Sequence, residues 1–165
     1  MRLFLIAAAA AATAAIAAED EALSVPLSEA DLVGCGTRSI LWKKLYGLSL
    51  YQEPSAGEVI VMDVLHEGDL PGGLPDDWPP TLRRTVDEAT IAQIDAAFGL
   101  IRPASRVEIV YDAPTNRSRM VVDGQPAVEV EDRVTYDAIR AMWFGDDPID
   151  AKLKRDILAG RCEAS

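Results

Sequence analysis

The chain has 165 residues, with 27 acidic side chains against 16 basic ones and a formal net charge of −11. That excess of negative charge repels phosphate backbones and anionic surfaces, which argues against a nucleic-acid partner and against the chain as a whole adhering to a membrane. One histidine and two widely separated cysteines offer no zinc-ligand spacing, and the length suits one domain with a real core.

The amino terminus, Met1-Arg2-Leu3-Phe4-Leu5-Ile6, carries one early cation and then an alanine-rich apolar run that stops at Glu19-Asp20-Glu21. Charge, length and the small residues Ala15, Ala17 and Ala18 are those of a cleaved signal peptide over residues 1–18. The run is short for a bilayer-spanning helix. The expected product is an acidic domain over residues 19–165, periplasmic or secreted, with no stable membrane insertion after cleavage.

Two adjacent strands are expected between Asp31 and Gln52, where Gly34 and Gly36 mark a close backbone approach or a bulge. In the second, Tyr46, Leu48 and Leu50 alternate with Leu45, Gly47, Ser49 and Tyr51. Glu58 to Leu65 reads as a third strand, apolar enough to be covered on both faces. His66 follows at the strand end and is expected in solvent. From Gly68 to Pro80, glycines and prolines predict a loop.

Thr85 and Glu88 have the spacing of a capping box, opening a helix whose face is Val86, Ile91, Ile94 and Phe98, with Gly99 as a left-handed stop. Arg106 to Asp112 alternates as a strand. Asn116-Arg117 and Asp123-Gly124 then turn the chain through Ser118–Val122 into the segment holding Ala127, Val128 and Val130, an antiparallel meander. Asp132 is expected to cap a helix with Val134, Ile139, Met142, Trp143 and Phe144 up to Gly145. Asp147-Pro148 is expected to open a last helix with the stripe Ile149, Leu153, Ile157 and Leu158, ended by Gly160. Strands, helix, strands, helices is the order of an α+β domain.

Cys35 and Cys162 lie near opposite ends of the mature chain, either joined in an oxidising compartment or buried as separate thiols. The acidic groups Glu129, Glu131, Asp132 and Asp146, Asp147, Asp150 lack the pattern of a calcium loop. No phosphate-binding glycine loop and no nucleophile elbow occurs. No cofactor and no metal is expected.

Three ordered stretches resemble the chalcone isomerase-like family, in particular its exported bacterial branch. They are Leu32-Val33-Gly34-Cys35-Gly36-Thr37-Arg38 with the following Lys44 to Tyr51, then Ser105 to Tyr111 with its hairpin, then Ala138 to Gly145 with Asp147-Pro148 and the closing Lys152-Leu153-Lys154. The resemblance implies an open-faced β-sandwich, a curved antiparallel sheet with helices on one face and an apolar cleft between them.

The family's enzymes close a chalcone by attack of a phenolate on an enone, chemistry that depends on placed donors. Of their functional groups only the arginine carries over, as Arg38. The strand threonine aligns with Tyr46, the late helical hydroxyl with Met142, and the central-helix tyrosine and asparagine have no counterpart between Arg84 and Phe98. The resemblance therefore implies no catalytic residues and a non-catalytic binder of a small amphipathic carboxylic acid such as a fatty acid. Arg38 would meet the carboxylate, with Tyr46, Met142 and Trp143 at the site. The alternatives are an isomerase or intramolecular lyase using Arg38 and Tyr46 on an enone-like substrate, or an envelope accessory protein without ligand. For Arg38 itself the competing reading is a structural ion pair with one of the many carboxylates.

Overall fold

In a computed structural model the described residues are 27–28, 31–53, 57–76 and 78–162; the signal-peptide reading lies outside them. The strands are β1 (Leu32–Ile40), β2 (Lys43–Glu53), β3 (Gly57–Val64), β4 (Arg106–Asp112), β5 (Arg117–Val122) and β6 (Gln125–Val130). The helices are α1 (Trp78–Leu82), α2 (Glu88–Phe98), α3 (Val134–Phe144) and α4 (Ala151–Leu158). The six strands form one antiparallel sheet in sequence order. The architecture is α+β, an open curved sheet with its helices on one face.

Strand alternation assigns the two faces. Leu48, Leu50, Ile60, Met62, Val107, Ile109, Met120 and Val128 bury against Leu82, Ile91, Ile94, Phe98, Ile139, Trp143, Leu153 and Ile157 from the helices, in one continuous core. On the reverse face Val59, Val61 and Val110 form a smaller cluster that Leu27 and Tyr51 pack against. This double coverage explains the near-continuous apolar run of β3.

β1 has almost no side-chain bulk where α4 crosses it. A Cβ at Gly34 would stand 2.0 Å from the Ile157 carbonyl oxygen, and one at Gly36 would stand 2.7 Å from Leu153 Cδ1. The two glycines thus let a helix lie directly on the strand. Cys35, between them, is bonded to Cys162 with the Cα atoms 4.8 Å apart, and its amide donates to the Arg161 carbonyl.

Several boundaries depart from the sequence reading. The punctuated stretch ends earlier than Pro80, because Pro79 and Pro80 occupy the first turn of α1, where an amide would have had no helical partner. α2 is capped by Asp87, not Thr85: the Asp87 carboxylate accepts from the Ala89 and Thr90 amides and the Thr90 hydroxyl. Hydrogen bonds from the Thr90 hydroxyl and amide hold the Asp87 carboxyl below its ordinary value. Glu88 turns outward to Arg83, at 2.7 Å. Gly99 stays right-handed, with φ −63°. α4 begins after Asp150 and not at Asp147-Pro148, since the Asp150 carboxylate takes the Lys152 and Leu153 amides. Gly160 does end it, at φ +68°. The Asp123-Gly124 hairpin has both residues at positive φ, 51° and 79°.

A polar tie runs through the helix-side core. Glu58 of β3 accepts from the Tyr136 hydroxyl at 2.8 Å and pairs with Arg140, both on α3. Burial and the neighbouring Glu58 charge push the Tyr136 phenol far up, so it stays neutral. Desolvation opposes the Arg140 charge, but the Glu58 hydrogen bond and charge outweigh it and raise that guanidinium above its usual value.

Two outcomes are expected. Cys35→Ser with Cys162→Ser removes a cross-link spanning 127 residues and should cost about 4 kcal/mol in chemical denaturation. Tyr136→Phe removes a buried hydrogen bond to a charged group and should cost about 1.5–3 kcal/mol by the same measurement.

Candidate functional site

Between the helix-side face of β1–β3, the segment 66–75 and the helices lies a cleft of about 330 Å³. Its floor is Tyr46, Met62 and Val64 of the sheet. The inner wall is Trp78, Phe98, Ile101 and Trp143, and the outer lip runs through His66, Asp69, Leu70, Pro71, Gly73 and Pro75, with Arg38 and Leu45 completing the lining. The volume falls at the low end of the ~300–1,000 Å³ typical of small-molecule pockets, and most of the lining is apolar.

The wall is rigid because its aromatic rings brace one another edge to face. Trp78 meets Phe98 at 5.2 Å and Trp143 at 5.3 Å between ring centroids, and Trp143 meets Tyr46 at 6.5 Å. The lip is tied to α2 by the Leu74 amide, which donates to Asp95 Oδ1 at 2.8 Å. Gly73 lies against the same carboxylate, where a Cβ would stand 2.5 Å from Asp95 Oδ1.

A β-bulge shapes the floor. Arg38 pairs with Tyr46 and Ser39 with Lys44, so Leu45 is an extra residue on β2 without a β1 partner. In a regular strand consecutive side chains point to opposite faces; here Leu45 and Tyr46 both line the cleft. The sequence reading had placed Leu45 on the Gly47-Ser49-Tyr51 face. The Leu45 carbonyl accepts from the amides of Leu65 and His66, at 2.9 and 3.0 Å, which draws the chain after β3 over the cleft. His66 is accordingly half-buried in the lining, which corrects the expectation that it stands in solvent at the strand end.

Three of the four expected ligand-binding residues converge. The Tyr46 hydroxyl oxygen accepts from Arg38 Nη1 at 3.3 Å and from Trp143 Nε1 at 2.9 Å. The Arg38 guanidinium carbon stands 5.8 Å from the Tyr46 ring centroid, a cation–π placement. Among the described residues no carboxylate lies within ion-pair distance of Arg38, so the structural ion pair that competed for it does not form there. A phenol has one proton to give in addition to the two bonds it accepts, and among the described residues the Tyr46 proton has no acceptor. The fourth, Met142, is absent from the lining. It is 6 % exposed within the core, because α3 turns Trp143 toward the sheet and its neighbour away from the cleft.

The sequence reading missed Trp78, Phe98, Ile101 and the whole 66–75 lip as cleft residues. Their only sequence signal was apolar bulk, which marks core and pocket walls alike. Four of the six acidic residues that lack a calcium-loop pattern have partners within the fold, Asp150 as the cap of α4. Glu129 and Glu131 pair with Arg117, and Asp132 accepts the Thr135 amide at the start of α3. Among the described residues no cluster of histidine, cysteine or carboxylate side chains could hold a metal ion.

No curated protein matches the sequence. A family model described as Chalcone isomerase-like matches residues 83–159. Among solved structures, a fatty-acid binding protein of Arabidopsis thaliana superposes with a TM-score of 0.53 at 15 % identity, over 77 % of this chain and 85 % of that one. The fold and the family match agree with the ordered motifs: over residues 83–159 the chain is similar to the chalcone isomerase-like family, and its fold is that of the superposed plant protein.

Proposed function

We propose that this protein is an exported, periplasmic, non-catalytic member of the chalcone isomerase-like family that binds a small amphipathic carboxylic acid, fatty in character, with its carboxylate on Arg38. The observation that carries the reading is the polar end of the cleft: a half-buried guanidinium whose partner is a neutral phenol, beside a phenolic proton with no acceptor among the described residues. A cation in an apolar crevice is costly until an anion meets it, and the planar fork suits a carboxylate. A carboxylate would take charge-assisted bonds from Arg38 and the spare proton of Tyr46, while an alkyl chain would run along Met62, Val64, Leu70 and Phe98. The superposed plant protein binds fatty acids, which supports the ligand class. The Met1–Ala18 run and the Cys35–Cys162 bond support export.

A second reading, an isomerase or lyase acting on an enone-like substrate with Arg38 and Tyr46 as its polar pair, draws on the presence of His66 in the lining of the same cleft. Turnover of an enone that Arg38→Ala abolishes with the fold intact would favour it over binding alone. The open cleft speaks against a filled accessory domain without ligand.

Thermal denaturation with decanoate, and with decanol as the uncharged control, tests the binding reading. At a hundred times its dissociation constant a carboxylate ligand should stabilise by about 2.7 kcal/mol. Arg38→Ala should remove most of that gain and leave the effect of the alcohol unchanged. No gain from acids of any chain length, or an equal gain in wild type and variant, would overturn it. Tyr46→Phe should also weaken the acid. It strips the acceptor from the buried Trp143 indole as well, and should cost about 1–3 kcal/mol of stability without ligand.

A further inference from the structure

The turn between β1 and β2 projects the two most exposed large apolar side chains among the described residues, Leu41 and Trp42, beside the exposed Ile40. Leu41 is 83 % exposed, Trp42 82 % and Ile40 53 %. Neither folding nor turn geometry accounts for them. Leu41 has φ +56°, a left-handed position where a tight hairpin favours glycine or asparagine, yet a leucine stands there with its side chain in water. The surrounding charge is as selective. From Leu32 to Gln52 the chain carries Arg38, Lys43 and Lys44 and no acidic residue, in a protein whose net charge is −11. Lys43 and Lys44 are both exposed directly behind the apolar tip.

We infer that this hairpin tip docks on a lipid bilayer bearing anionic headgroups, with Leu41 and Trp42 in the interfacial zone and Lys43 and Lys44 on the phosphates. A tryptophan at the boundary, an aliphatic group beyond it and lysines behind it is the arrangement that suits such an interface. The charge of the whole chain does not forbid it. Beyond a Debye length of about 8 Å, distant carboxylates are screened and the tip's own cations govern the approach. The tip is continuous with the cleft: Leu45 lines both the exposed patch around Ile40, Leu41 and Trp42 and the cleft itself. Docking therefore brings the cleft close to the lipid surface. That this serves exchange of a fatty ligand rests on the reading of the cleft given above; the docking does not.

Pelleting with phosphatidylcholine vesicles, with and without phosphatidylglycerol, tests the docking, read alongside tryptophan emission. Trp78 and Trp143 are 4 % and 2 % exposed, so an emission change on binding reports Trp42. The expected result is binding to the anionic vesicles with a blue shift, lost in the Leu41→Ser/Trp42→Ser variant and weakened about tenfold or more by Lys43→Gln/Lys44→Gln. Wild type and variants carry the same amino terminus, so their difference reads the tip alone. Vesicle binding that survives the Leu41→Ser/Trp42→Ser change, no binding to either vesicle, or a dimer in solution that the same change dissolves would each overturn the inference. The stabilisation by decanoate should be equal in wild type and this variant, which separates a failure of the docking from a failure of the cleft reading.

Discussion

The phenolic oxygen of Tyr46 takes hydrogen bonds from two directions, from Arg38 on the neighbouring strand and from the buried Trp143 indole on α3. That one acceptor joins the edge of the sheet to the helical layer at the point where the two layers part. Without it the indole would face a hydrocarbon wall unpaired, and the guanidinium would be free to swing into water. Packing and polarity are thus coupled at the mouth of the cleft, and the coupling sets a cation and a phenol whose proton has no acceptor among the described residues in one lining.

The rest of the architecture keeps that space from closing. On the far side of β1 from the hairpin, Gly34 and Gly36 let α4 lie directly on the strand, and the Cys35–Cys162 bond fastens the chain end there. At the Arg38 end the sheet and helices are held apart by large rings, which brace one another instead of collapsing onto the floor. The bulge at Leu45 then bends β2 and supplies the carbonyl that draws Leu65 and His66 across. Close contact at one end and separation at the other follow from side-chain size along a single strand.

The same hairpin holds the two features most at odds with ordinary folding economy. Its inner end places a cation on the apolar side of the sheet, and its outer end exposes a leucine and a tryptophan to water. Both are unfavourable for the isolated domain, and on the proposed readings both would be relieved by contact with an amphipathic acid or a lipid surface. Stability alone does not select such a strand pair.

The amino-acid sequence by itself determined the α+β class, the order of the strands and most of each helical face, although Val134 and Leu158 of the expected stripes are exposed. Each rests on short-range information: side-chain periodicity, turn dipeptides, capping residues and an ordered set of local motifs. It misplaced the start of α4 and the cap of α2 because several carboxylates stood within reach of each helix start, and backbone geometry chose among them. Only the tertiary structure decided which apolar residues wall a cavity and which fill the core. Trp143 and Met142 are neighbours of similar hydrophobicity, and the direction of α3 over the sheet sends one to the cleft and the other away. The bulge that turns Leu45 into the cleft and the carbonyl that brings in His66 are likewise products of strand pairing, a long-range fact that no local pattern encodes.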